Sequence, residues 1–298
     1  MPLTVSVFCL FTGCGGEKVQ DGVHHTFYES GKIKTEYTYR AGRPEGPFRE
    51  YDESGNTICE GTVKDGSVTE TRSEYLSDGG LKSTAQYSDN QLHGLTKEYY
   101  SSGTQRIEIP YTYGKRDGLV KEYALDGKLD AERTYKEDKL EGPTRLYTNG
   151  QLKLEQTYRQ DQLNGITREY DDTGSLKFEK NYVHDILDGV MKEYDRTGRL
   201  LFEYTYQTGE VALTREFYDT GSVMRETSMR NGKTAGIKEF YDKGGVMREK
   251  KMEDGRPVQL NEYYENGSVM YKSYYRDGIL KKTEHFDPAG DLLKVENY

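Results

Sequence analysis

The sequence predicts an all-β protein: an elongated, single, twisted antiparallel sheet built of about 12 β-hairpin repeats of 23–24 residues. Three observations carry that expectation. Glycine recurs in turn-like contexts at 31, 55, 79, 103, 127, 150, 174, 198, 221, 244, 267 and 290, always 24 or 23 residues apart. Apolar and aromatic side chains follow each of these glycines at even spacings, the period of a strand with one packed face. No 3.6-residue period persists, and 27 tyrosines supply large rings with polar tips that tolerate water.

At the N-terminus, residues 1–13 hold an apolar run from Leu3 to Phe11, then Thr12 and Gly13. Residues 14–21 form a polar, Gly-rich linker, and 22–298 form the repeat array. The stretch FTGC resembles the lipobox of bacterial lipoproteins. That resemblance implies that 1–13 is a signal peptide, that cleavage precedes Cys14, and that Cys14 is the lipidation site. The chain would then touch a membrane only through its lipid anchor, because the apolar run is too short to span a bilayer. No Lys or Arg precedes the run, which predicts a start codon upstream of Met1.

Within a repeat, positions are counted from the turn glycine. An aromatic stands at −4, as in Tyr51, Tyr75, Tyr99, Tyr170, Tyr194, Phe217, Phe240 and Tyr263. The sixth copy is one residue short and places Tyr147 at −3. An apolar residue stands at +2, as in Leu81, Leu176, Leu200 and Val223, and Tyr or Met at +8. The even separation predicts that +2 and +8 share one face of a strand. Asp, Ser, Thr, Asn and Gly fill the turn, and a second turn such as KEDKLEG or RQDQLNG returns the chain. Each repeat is therefore a two-stranded hairpin. A lone hairpin is marginal in water, so neighbours must share a face, and the terminal copies, roughly 22–45 and 268–298, should fray.

Charge patterning excludes several functions. The net charge of −9 and the lack of a basic patch speak against nucleic acid and against anionic lipid surfaces. Glutamate recurs at +5, from Glu36 and Glu60 to Glu226 and Glu249, and again at −5, from Glu50 and Glu74 to Glu239 and Glu262. Paired catalytic acids need one place where two environments differ. These carboxylates repeat identically about 10 Å apart, so both ladders are expected to form a solvated face that keeps the sheet soluble. The five histidines and three cysteines show no metal-ligand spacing, and no nucleophile lies beside a base in sequence. No catalytic residue, metal site or cofactor is expected, and the protein is not expected to be an enzyme.

The combined pattern, KEY before the turn glycine with Leu and Tyr after it, resembles the MORN-type repeat, in the variant found in the bacterial YwqK-like antitoxin family. The resemblance covers roughly residues 22–298 and implies an elongated single-sheet array. Two functions are expected. One is a lipid-anchored scaffold at the bacterial cell envelope, on the outer membrane if the cell is Gram-negative, that binds a protein or glycan partner. The other is a cytoplasmic antitoxin that neutralises a partner toxin. The resemblance also allows a homodimer, since some MORN arrays dimerise. Tyrosine suits soluble yet adhesive contact, so the candidate binding surface is Tyr135, Tyr158, Phe178, Tyr182, Phe202, Tyr204 and Tyr206.

Overall fold

The computed structural model describes residues 19–298, and the signal-like segment 1–13 and Cys14 lie outside them. The described residues are all-β, with 27 strands and no helix. They divide into two compact units: one runs to Gly118 and includes Tyr123–Gly127, and the other comprises Leu119–Glu122 with Lys128–Tyr298. In each unit, successive strands pair antiparallel as hairpin repeats. Three two-residue strands, Lys115–Arg116, Gln162–Leu163 and Ile186–Leu187, are the starts of longer strands interrupted by bulges. Every repeat thus contributes one strand before its glycine and one after it.

Two kinds of turn connect the strands. At the repeat glycine, Asp52 N donates to Asn56 O (2.9 Å) and Gly55 N to Asp52 O (3.0 Å), with Gly55 at φ 97°. This is a type I turn closed by a left-handed residue, which only glycine adopts without steric cost. The returning connections are two-residue turns with both central residues at positive φ, such as Asp65 (51°) with Gly66 (78°) and Asp277 (53°) with Gly278 (79°). Their backbone twist matches that of the strands, and Asp and Asn tolerate the left-handed region. The short sixth copy uses this second kind at its glycine: Thr148 pairs with Gln151 around Asn149 (φ 52°) and Gly150 (φ 79°).

Bulges explain the remaining change of period. In most copies through Gly198 the return strand carries two extra residues: Tyr37 pairs with Phe48 but Tyr39 with Pro44, and Tyr182 pairs with Leu187 while Glu179 pairs with Lys192. A glycine at positive φ sits in these bulges, at Gly46, Gly94, Gly142, Gly165 and Gly189. The preceding strand's +7 side chain locks it. Thr38 Oγ1 donates to Pro47 O (3.0 Å), Thr134 Oγ1 to Pro143 O (3.0 Å) and Asn181 Nδ2 to Asp188 O (2.6 Å). Later copies have a single extra residue. Thr205 pairs with Leu213 and Tyr206 with Val211, and the bulge residues Ala212 and Ala235 lack positive φ. The period falls from 24 to 23 because the bulge loses one residue.

A further bulge corrects the face assignment made from parity. Tyr51 pairs with Thr57 but Glu50 with Cys59, and likewise Tyr170 with Leu176 but Glu169 with Phe178. The extra residue at +3 resets the two-residue period. Leu81, Leu176, Leu200 and Val223 therefore share a face with the −4 aromatics and the +5 glutamates, which we call the ladder face. Positions +4, +6 and +8 lie on the other side with −5 and −7, on the tyrosine face.

Burial on the tyrosine face is deepest in the first unit. Phe48, Cys59, Val63 and Val68 form its core, with Tyr37 stacked on Phe48 at 5.1 Å and 8° and Tyr87 packed alongside. The Phe48 ring lies over Gly61, where an added Cβ would come within 2.8 Å of it. Thr96, Thr144 and Thr167 are also buried, and their hydroxyls have no partner. Val120 fills the same repeat position, so threonine serves there as a β-branched filler carrying an unpaid desolvation cost. Replacing Thr167→Val should raise the urea midpoint, by about 1 kcal/mol in stability. Gly165 has φ +124°, and an added Cβ would lie 3.2 Å from the Thr157 Cβ. Gly165→Ala should lower the midpoint, by about 1–3 kcal/mol, in the same melts followed by circular dichroism.

Candidate interaction surface

All seven predicted surface aromatics lie in the second unit on the tyrosine face. Tyr135, Tyr158, Tyr182 and Tyr206 occupy the +8 row, Phe178 and Phe202 the +4 row, and Tyr204 position +6, each half-buried. Phe202 and Tyr204 stack at 6.0 Å and 27°. Burial pushes the Tyr158 and Tyr204 phenols above their ordinary value, so both stay neutral at physiological pH.

The aromatics do not form an unbroken patch. Register runs Leu154, Glu169, Phe178, Glu193, Phe202, Glu216, Arg225, Glu239, Arg248, Glu262 and Tyr271 along one row, each opposite the next. The −5 glutamates thus alternate with the rings, which corrects the expectation that both ladders share one solvated face. They are also partnered. Lys180 bonds Glu169 and holds its ammonium 5.0 Å from the Phe178 ring. Farther along, Arg225 reaches Glu216 (3.5 Å) and Glu239 (3.0 Å), and Arg248 reaches Glu239 (3.3 Å) and Glu262 (2.7 Å).

On the ladder face, three arginines bridge +5 glutamates from neighbouring repeats. Arg145 lies 2.8 Å from Glu155 and 3.8 Å from Glu132, and Arg168 lies 3.0 Å from Glu179 and 3.4 Å from Glu155. Arg215 spans Glu226 (2.7 Å) and Glu203 (2.8 Å). Such exposed pairs contribute up to about 1 kcal/mol each, but in series they cancel the repulsion that a bare carboxylate row would carry. Phenols join in, with Tyr75 OH at −4 donating to Glu60 (2.6 Å) and Tyr147 OH, at −3 in the short copy, to Glu132 (2.9 Å).

A row of tyrosines at −3 ties repeat to repeat and was not singled out from the sequence. Tyr28 OH donates to Tyr51 O (2.6 Å), Tyr218 to Phe240 O (2.8 Å), Tyr241 to Tyr263 O (2.7 Å) and Tyr264 to Phe286 O (3.0 Å). The available signal was the aromatic doublet before the turn, in EFYDTG, EFYDKG and EYYENG. Where aspartate replaces this tyrosine, it caps its own loop instead. The Asp195 carboxylate accepts from Thr197 Oγ1 (2.6 Å), Thr197 N (2.8 Å) and Arg199 N (3.1 Å). These bonds, the Thr197 hydroxyl foremost, push Asp195 from 3.8 down to about 2.

Cys59 is packed rather than poised. Arg72 Nε lies 3.0 Å from its sulfur, yet burial pushes the thiol up to about 11, the reverse of a reactive cysteine. Among the described residues no group of three or more His, Cys, Asp or Glu side chains could hold a metal.

Hairpin repeats of 23–24 residues, repeated charge bridges and inter-repeat clamps define a β-repeat scaffold. The profile of the MORN repeat variant matches residues 20–41, 44–65, 92–113, 116–137, 163–184, 187–208 and 260–277, together half of the chain, and the chain belongs to that family. No curated protein sequence matches it. Similar solved structures include the crystal structure of TcdB2-TccC3, with a TM-score of 0.19, 13% identity, and coverage of 92% of this chain and 18% of that one. Those of TcdB2-TccC3-TEV (0.19, 14%, 92% and 17%) and TcdB2-TccC3-Cdc42 (0.16, 15%, 92% and 18%) are similar in the same way. The chain thus spans less than a fifth of these structures.

The depressed Asp195 contributes stability that is fully present above its unfolded value near 3.8 and is lost as pH falls toward about 2. Thermal midpoints should fall across that window, and Asp195→Asn, which keeps an acceptor but cannot titrate, should flatten the decline. Removing one clamp hydroxyl with Tyr241→Phe should lower the urea midpoint, by about 1 kcal/mol.

Proposed function

We propose that the protein is a non-enzymatic scaffold, anchored by lipid at Cys14 to the bacterial cell envelope, that holds a protein or glycan partner on its repeat surface. The observation that carries the scaffold reading is repetition itself: among the described residues the same rings and charge bridges recur from copy to copy. Lipid anchoring rests on FTGC before residue 15, and the envelope location follows from it. A cytoplasmic antitoxin is the second reading, favoured by the resemblance to the YwqK-like family.

Metabolic labelling with a palmitate analogue in a bacterial host separates the two. Label on the native chain that vanishes in Cys14→Ala is the expected result. Absence of label from both forms would overturn the anchor and direct the search to cytoplasmic toxins.

A further inference from the structure

On the ladder face of the second unit, position −8 holds an apolar residue in successive repeats: Leu119, Pro143, Ile166, Val190 and Leu213. Pro143 is exposed, and Leu119, Ile166 and Val190 are 38%, 39% and 40% exposed. The +7 residues stand between them, Pro143 pairing with Thr157, Ile166 with Asn181 and Val190 with Thr205. Several of these turn their polar atoms into the bulges. Thr134 Oγ1 donates to Pro143 O (3.0 Å), Thr157 Oγ1 to Ile166 O (3.3 Å) and Asn181 Nδ2 to Asp188 O (2.6 Å). Both threonines therefore present methyl groups, and the row becomes an apolar stripe. Val183 and Ile186 widen it at one hairpin tip, where the adjacent copies place Arg159 with Gln162 and Gln207 with Glu210. An exposed stripe of this kind marks an interface. The row beside it specifies the occupant. From Glu132 to Glu226, glutamate and cation alternate on every strand, the cations on the strands of the −8 aliphatics and the glutamates on those of the +7 residues. Read in reverse order, this pattern is its own complement.

We propose that this face packs on the same face of a second copy of the chain, turned about a two-fold axis that runs along the strands between Ile166 and Asn181. Val190 then lies over Thr157 of the second copy and Ile166 over its Asn181, so large side chains interleave with small ones. In the same register Arg168 faces Glu179, Arg145 faces Glu203 and Lys136 faces Glu210. A shift of one strand would set aliphatic on aliphatic but arginine on arginine, so the charges select the interleaved register. A partner of one net charge would instead leave half of the ladder facing like charge. Strands about 4.8 Å apart make the stripe from Leu119 to Ser228 roughly 43 Å long, and a width of about 18 Å gives close to 800 Å² per copy, the size of a stable interface. The inference concerns the second unit alone and does not depend on the lipid anchor.

The test is sedimentation velocity on the full chain at concentrations up to about 100 μM, where even a weak interface of this size is occupied. A reversible dimer is expected, and Ile166→Glu with Val190→Glu should weaken it at least about tenfold. Leu125→Glu makes the same kind of change at a turn residue that is 62% exposed and off the stripe, and it should leave the dimer unchanged. Circular dichroism should show all variants folded. Register is read by cross-linking with a short bis-maleimide in a Cys9→Ser, Cys14→Ser background. Ile166→Cys should link to its own copy across the axis, whereas Leu119→Cys should not, because its two copies stand about 43 Å apart. A monomer at every concentration would overturn the proposal and leave the stripe to a different protein. A dimer untouched by the double variant, or Leu119→Cys linking as readily as Ile166→Cys, would overturn it as well. The scaffold reading would survive each of these outcomes, since its own test is the labelling at Cys14.

Discussion

Within each unit, the inner strands complete their backbone hydrogen bonds on strands of their own or a neighbouring repeat, and that pairing is the constraint on which everything else depends. Strands in substantial contact are sheet neighbours, so within each unit no second layer takes up the faces. A repeat without its neighbour would expose a full edge of N–H and C=O groups together with two half-covered faces. The side chains can be understood as answers to that condition. The −3 phenols donate across the repeat boundary to backbone carbonyls, and the +7 hydroxyls and amides lock the bulges from which the next strand starts.

With so little enclosed volume, stability cannot come from a thick aliphatic core. Rings lying over small residues, as Phe48 lies over Gly61, cover backbone that would otherwise be wet. Ion pairs shared between successive repeats do comparable work on both faces. Arg145, Arg168, Arg215, Arg225 and Arg248 each touch two glutamates, so a charge lost in one copy leaves unbalanced partners in two. The consequence is a surface that alternates aromatic and charged stripes at a fixed interval.

Much of the fold was legible because turn chemistry is local. A glycine needing positive φ, flanked by Asp, Ser and Thr, fixes one hairpin end wherever it stands, and twelve repetitions made the period unmistakable. Face assignment was less legible. Parity carries a side chain reliably only along a regular strand, and the extra residue at +3 moved Leu176 and Leu200 to the face opposite Tyr182 and Tyr206. The drop from 24 to 23 residues was visible as a number, but a lost turn residue at Gly150 and a lost bulge residue near Ala212 look identical in sequence. The −3 tyrosines escaped notice because a phenol reaching a carbonyl 22 residues away is a property of register. Of the candidate surface, the rings could be named from the sequence, whereas the glutamates that alternate with them across the register required the structure.

Hydrogen exchange followed by mass spectrometry, resolved repeat by repeat, tests most directly whether neighbours supply the stability of each hairpin. The outermost strands Gly22–Phe27 and Leu292–Asn297 leave Phe27 58% and Leu292 56% exposed and are paired on one side only. Protection should therefore be lowest there and rise over the first repeats inward from either end to a plateau. Equal protection of all twelve repeats, ends included, would contradict nearest-neighbour coupling and would mean that each hairpin holds its structure by itself.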